Sequence, residues 1–183
     1  MTDWKAFLDQ RPVVVAIAGS NGAGKTTFYH AHLAGAGLRF INADDLAAEL
    51  DLGAYEAADL AAALRGGLIE KGEDFVFETV FSDPHGAKVA ELVAAHERGM
   101  QVVLIFIRID SSEISQQRVS MRVMQGGHDV ANEKLEARFE RTLANLDRAI
   151  QSLPVVLIFD NSDLRDPYRL EAVYRHGKRQ ERH

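Results

Sequence analysis

The stretch "VVVAIAGSNGAGKTT", residues 13–27, decides the fold. Val13–Ala18 is an apolar run of the kind that forms a strand buried on both faces. It leads directly into Gly19-Ser-Asn-Gly-Ala-Gly-Lys25-Thr26, which fits G-x-x-x-x-G-K-[ST] at every position. The glycines let backbone N–H groups turn inward around phosphate oxygens. A helix starting near Lys25 points its positive end at the same phosphates. Lys25 neutralises charge on the outer phosphates, and the Thr26 hydroxyl completes a Mg²⁺ shell of waters and phosphate oxygens. The predicted nucleotide site is therefore Gly19, Ser20, Asn21, Gly22, Ala23, Gly24, Lys25, Thr26 and Thr27. Thr26 is its metal ligand, partly through water.

Outward from this loop, short β-rich apolar runs alternate with helical stretches. The runs are Val13–Ala18, Leu38–Ile41, Phe75–Phe77, Val102–Ile107 and Val155–Phe159. Between them lie Lys25–Ala34, an Ala- and Leu-rich stretch from Asp44 to Lys71, Gly86–Arg98, and a long region from Ser112 to Leu153. This order predicts an α/β P-loop sandwich of three layers around a five-stranded parallel sheet, with ligands at the carboxyl ends of the strands. The last long helix carries an apolar stripe of Leu135, Phe139, Leu143, Leu146, Ile150 and Leu153, with Asn132 as N-cap and Pro154 as stop.

The 183 residues suggest one domain over 1–183, and 46% hydrophobic content can fill a core. A net charge of -6 argues against a surface built for nucleic acid. There is no cysteine, which excludes disulfides and thiolate metal sites. The start "MTDWKAFLDQRP" lacks the apolar centre of a signal peptide, and "VVLIFI" is too short to cross a bilayer. These features point to a soluble, cytoplasmic protein with no membrane partner. A polar tail is expected over about 161–183, its last nine residues, "RHGKRQERH", solvated and frayed.

A P-loop alone does not name the chemistry. No Ser-Gly-Gly signature with an Asp-Glu strand end marks an ABC-type ATPase, and no Asn-Lys-x-Asp marks a GTPase. "VVLIFD" resembles a Walker B strand, but it is the last predicted strand. Asp160 either binds metal through water or is the polar end of a strand near the nucleotide base, and the second reading is preferred. The nucleoside-kinase type remains. It requires an acid after the second strand, a substrate-reading strand and an Arg-bearing lid.

All three are present. In "FINADDL", Asp44 can orient an acceptor hydroxyl and take its proton, while the neighbouring Asp45 caps a helix, or the reverse. In "FVFETVFS", Glu78, Thr79 and Ser82 sit at a strand end on the ligand side. Glu78 either accepts from substrate hydroxyls or holds a Mg²⁺ water. The lid, about 111–141, contains Arg118 and Arg122 on one helix face and Arg138 and Arg141 on the next helix. "QGGHD" lies between them and adds His128. Such arginines either stabilise charge on the moving phosphoryl group or pair with Glu133, Glu136 and Glu140 on a solvated hairpin.

Together "GSNGAGKTT", "INADDLA", "FETVFS" and the block "SQQRVSMRVMQGGHDVANEKLEARFERTLANL" resemble the zeta-toxin family of P-loop kinases, in its short form. The resemblance spans Val13 to about Ser162. It implies an ATP- and Mg²⁺-dependent phosphotransferase acting on a metabolite hydroxyl, with UDP-N-acetylglucosamine as the foremost acceptor and an antitoxin protein as a partner. It matches Lys25 and Thr26 to the nucleotide site and Asp44 to the catalytic acid. Glu78 matches a substrate contact, and Arg118 or Arg122 a lid arginine, with His128 or Arg138 in place of a second. Longer members carry Gly-Thr after the glutamate and an Arg soon after; here the sequence reads Glu78-Thr79-Val80-Phe81-Ser82. A nucleotide switch acting through a protein partner is the competing reading. It needs no acceptor-side base, so Asp44 and the lid favour the kinase. A polynucleotide 5′-hydroxyl kinase is opposed by the acidic charge.

Overall fold

The computed structural model describes residues 3–124 and 132–181, without the side chains of 122, 132 and 133. The strands are β1 (Val13–Ala18), β2 (Arg39–Ile41), β3 (Phe75–Thr79), β4 (Gln101–Arg108), β5 (Val155–Asp160), β6 (Arg169–Arg175) and β7 (Lys178–Arg179). The helices are α1 (Lys25–His32), α2 (Ala43–Leu50), α3 (Ala54–Lys71), α4 (Ala87–Glu97), α5 (Ser112–Met124) and α6 (Asn132–Ser152). One sheet runs in the order β2-β3-β1-β4-β5-β6-β7. Its first five strands are parallel, as the alternating sequence pattern predicts, and β6 and β7 add to it antiparallel.

β1 is buried at all six positions because helices cover both faces. Val14, Ala16 and Ala18 point into a core completed by Leu68 of α3, Leu92 of α4 and Leu146 of α6. Val13, Val15 and Ile17 point to the other side, where Phe28 and Tyr29 of α1 pack with Leu8. The parallel register sets Ile17 beside Glu78 and Ala18 beside Thr79, so β3 ends next to the start of the P-loop.

Two expectations are corrected. The Asp44–Lys71 stretch is two helices. Asp51 adopts a left-handed conformation at φ 52°, and the Gly53 N–H restarts the chain by donating to Glu56 Oε2 at 3.0 Å. The polar tail over 161–183 instead contains β6 and β7. His176 and Gly177 both have positive φ, 47° and 76°, and connect Arg175 to its partner Lys178. A two-residue connection of this kind matches the right-handed twist of a hairpin. Charge on the outer strands concealed the pattern, because only Ala172 and Val173 of β6 are buried.

Candidate active site

The P-loop is held from inside and outside. Gly19 packs so closely that a Cβ there would lie 2.4 Å from the Ile107 carbonyl oxygen. Lys25, buried at 6% exposure, reaches back across the loop and donates to the Ser20 carbonyl at 3.1 Å. Outside the loop, four successive carbonyls each accept from a distant side chain. Ser115 Oγ donates to Asn21 at 2.7 Å, Arg118 Nη1 to Gly22 at 3.5 Å, Asn161 Nδ2 to Ala23 at 2.7 Å and Tyr168 Oη to Gly24 at 2.9 Å. Fixing the carbonyls outward turns the loop's N–H side toward an anion, although the Ala23 N–H donates instead to the Ser20 carbonyl at 3.2 Å. Gly24, at φ 93°, has no room for a side chain: a Cβ would lie 2.7 Å from Tyr168 Oη and 2.8 Å from Asn161 Nδ2. Burial pushes the Tyr168 phenol up, outweighing the hydrogen bonds that lower it, so it stays a protonated donor.

Beside the loop, Glu78 gathers three partners. Thr26 Oγ1 donates to its Oε2 at 2.7 Å, Asn42 Nδ2 donates to the same oxygen at 3.3 Å, and Lys25 Nζ lies 3.8 Å from Oε1. A hydroxyl and a carboxylate this close to the P-loop are hard oxygen donors and fit a Mg²⁺ site whose other ligands are waters and phosphates. Asn42 also caps α2, accepting from the Asp44 N–H at 2.9 Å. The cap is therefore neither Asp44 nor Asp45. Asn42 was recognisable as a strong N-cap residue, but the two carboxylates after it drew the assignment. Asp44, freed from capping, lines a cavity of about 260 Å³ together with Lys25, Glu78, Thr79, Arg65 and Lys88.

Val80 also lines this cavity and opens the segment 80–83, which α6 holds by its carbonyls. Thr142 Oγ1 donates to Val80 at 2.9 Å, Asn145 Nδ2 to Phe81 at 2.9 Å and to Asp83 at 2.8 Å, and Arg141 Nε to Ser82 at 2.8 Å. Phe81, buried with φ 64°, needs such anchoring, because a left-handed aromatic residue is strained.

With this geometry in view, the comparisons are specific. The model of the zeta toxin family matches residues 41–171. The chain belongs to the zeta toxin family. Among curated proteins, none matches its sequence. Several solved structures share its fold. The AvrRxo1-ORF1:-ORF2 complex with ATP aligns at TM-score 0.66 and 18% identity over 93% of this chain and 60% of that one. A putative kinase from Chloroflexus aurantiacus aligns at 0.58 and 18%, covering 86% and 92%. The PezAT toxin-antitoxin system of Streptococcus pneumoniae aligns at 0.61 and 15%, covering 87% and 79%. This zeta-family chain thus spans 60% of the AvrRxo1 chain's length, and it shares its α/β fold with the Chloroflexus protein described as a kinase.

The other predicted residues of this zeta-family chain fall as follows. Arg118 lies against the outer face of the P-loop and also donates to the carbonyls of Asn161 and Ser162 at 2.9 and 3.1 Å. Arg141 holds Ser82 through its backbone, and Thr79 Oγ1 accepts from the Phe81 N–H at 3.1 Å. Both arginines therefore bond backbone carbonyls, and among the described side chains neither pairs with Glu136 or Glu140; the Glu133 side chain lies outside the described residues. Arg138 is half-buried on α6, one turn before Thr142. Thr27 is exposed at the start of α1. His128 and the Arg122 side chain lie outside the described residues. Asp160 closes the turn after β5: Ser162 N and Oγ donate to it at 3.0 and 2.6 Å, and Arg169 at 2.9 Å. Burial raises its carboxyl, but these hydrogen bonds prevail and hold it below the usual range. No helix among the described residues is long and apolar enough to cross a membrane.

Proposed function

We propose that this chain transfers the γ-phosphoryl group of ATP to a hydroxyl of a small metabolite, with UDP-N-acetylglucosamine the first acceptor to test. One observation carries the reading: Asp44, Glu78 and the P-loop lysine line a single cavity beside the nucleotide site. A switch or simple ATPase has no use for an acceptor cavity walled by a carboxylate.

The mechanism follows from positions. P-loop N–H groups and Lys25 hold the β- and γ-phosphates. Thr26 and Glu78 would hold Mg²⁺, which when bound neutralises phosphate charge. Asp44 accepts a hydrogen bond from the acceptor hydroxyl and aims its oxygen at the γ-phosphorus. As the new O–P bond forms, the bond to the β–γ bridging oxygen breaks and ADP leaves with the electron pair. The hydroxyl proton passes to Asp44, late enough that an ordinary carboxylate suffices. Arg118, Arg122, Arg138 and His128 are proposed contributors from the lid side, Arg118 by shaping the P-loop from behind. Thr79 and Ser82 are proposed acceptor-side contacts. An antitoxin-like protein covering this cavity is the proposed partner, an idea supported by the PezAT likeness.

The test is incubation with Mg²⁺, ATP and a pool of UDP-sugars, nucleosides, dinucleotides and aminoglycosides, read by mass spectrometry for one added phosphoryl group. Asp44→Ala is expected to abolish transfer and leave ATP binding intact. Normal transfer by Asp44→Ala would exclude the mechanism, and hydrolysis without any product would favour the switch.

A further inference from the structure

The cavity that Asp44 and Glu78 enter has a cationic end. Arg65 of α3 is only 5% exposed. Its Nε and Nη2 form a fork on Glu91 at 2.6 and 3.3 Å, and its Cζ lies 4.8 Å from the centre of the Phe77 ring. Lys88 Nζ donates to the same carboxylate at 2.9 Å. Two cations thus share one anion, and this wall carries a positive charge in excess. Arg65 Nη1 has no hydrogen-bond partner among the described residues, and Arg65 and Lys88 both line the cavity. This edge is not a buried orphan: Arg65 lines the cavity, and an anion entering it can take the place of water on the unmatched edge. A planar fork beside a mobile ammonium is also the donor set that suits an oxyanion.

Building on the kinase reading above, we propose that Arg65 and Lys88 form an oxyanion subsite: the phosphoryl acceptor carries a phosphate or carboxylate at one end and presents its reacting hydroxyl to Asp44 at the other. The cavity, about 260 Å³, is smaller than the roughly 300 Å³ at which pockets for drug-sized ligands begin. It holds the reacting end and its anionic group, and the remainder of any larger acceptor lies outside it. Glu91 holds both cations in place until the anion arrives.

Two measurements test this and separate it from the kinase reading. First, sodium sulfate and sodium acetate are titrated by calorimetry into protein saturated with Mg²⁺ and a non-hydrolysable ATP analogue, so that the P-loop is occupied. At least one anion is expected to bind saturably, and which one binds tighter distinguishes a phosphate from a carboxylate acceptor. Lys88→Gln should weaken binding at least fivefold, Lys71→Gln should not change it, and Glu91→Gln should tighten it several-fold. General loosening of the fold does not give opposite signs at 88 and 91. Second, transfer from ATP is compared for N-acetylglucosamine, its 1-phosphate, UDP-N-acetylglucosamine and gluconate. Anionic acceptors should be used at least tenfold better than the neutral sugar, and Lys88→Gln should raise their KM about tenfold with kcat within twofold. Anion binding unaffected by Lys88→Gln, or neutral sugar used as well as its phosphate, overturns the subsite even if transfer is efficient. Anion binding with the expected signs but no transfer to any acceptor upholds the subsite and removes the kinase reading.

Discussion

Asn145→Ala probes how far the acceptor side depends on α6. Asn145 is fully buried, and Arg148 Nη1 donates to its Oδ1 at 2.6 Å, which turns Nδ2 toward residues 80–83. Alanine removes the two bonds from Nδ2 to the Phe81 and Asp83 carbonyls. The bond to the part-buried Asp83 carbonyl is worth about 0.5–1.5 kcal/mol net, and leaving the buried Phe81 carbonyl unpaired costs about 1–3 kcal/mol. The expected loss is about 2–4 kcal/mol. With a urea dependence of about 1–3 kcal/mol per molar, the midpoint should fall by about 1–2 M. The assay is urea unfolding followed by circular dichroism, with Asn145→Asp in parallel. The aspartate keeps the volume but turns acceptors toward two carbonyls, so it should be at least as damaging. If both variants unfold within about 0.5 kcal/mol of the parent, the hydrogen bonds of α6 do not hold this loop and the reasoning fails.

Three further outcomes are expected. Tyr168→Phe removes one donor to the Gly24 carbonyl and should raise the Kd for ATP about five- to tenfold, the equivalent of ~1 kcal/mol, in a fluorescent-nucleotide titration; an unchanged Kd would mean the phenol does not shape the loop. Glu78→Gln should lower kcat about 100-fold and shift the Mg²⁺ titration of the initial rate to higher concentration, whereas an unaltered Mg²⁺ profile would remove Glu78 from the metal site. Burial alone would raise the carboxyl of Glu91, but its hydrogen bonds and charge pairing with Arg65 and Lys88 prevail and hold it below its ordinary value. Its folded-state value is therefore below its unfolded one, so its contribution to stability is complete above the unfolded value and is lost as pH falls through the depressed one. Glu91→Gln should flatten that part of the acid limb in unfolding measured from pH 6 downward, and an identical slope would count against the pairing.

What the sequence disclosed divides along physical lines. β1, the P-loop and α1 were legible because strand, turn glycines and helix start lie within one short segment and each residue type has a local reason. The carboxyl-end position of Glu78 followed from the α/β order. By contrast, Ser115, Asn161 and Tyr168 act by donating to P-loop carbonyls from 94, 138 and 144 positions away, and nothing in their immediate sequence marks them. Arg65 sits in an Ala-rich helix where an arginine reads as solvent-facing; only the packing of Phe77 and Glu91 reveals it as buried. Thr142 and Asn145 interrupt the apolar stripe of α6 and read as its polar flank. Their use became visible once loop 80–83 had a location.

The bracing of the P-loop by Asn161 and Tyr168 also bears on the order in which a growing chain acquires its properties. Synthesis delivers the whole G-x-x-x-x-G-K-T segment almost at once, yet the donors to Ala23 and Gly24 follow 138 and 144 positions later. A nascent chain that ends before Asn161 has the motif without two of the four side chains that hold its carbonyls. Full nucleotide affinity is thus expected only once synthesis has passed residue 168, long after the motif itself emerges.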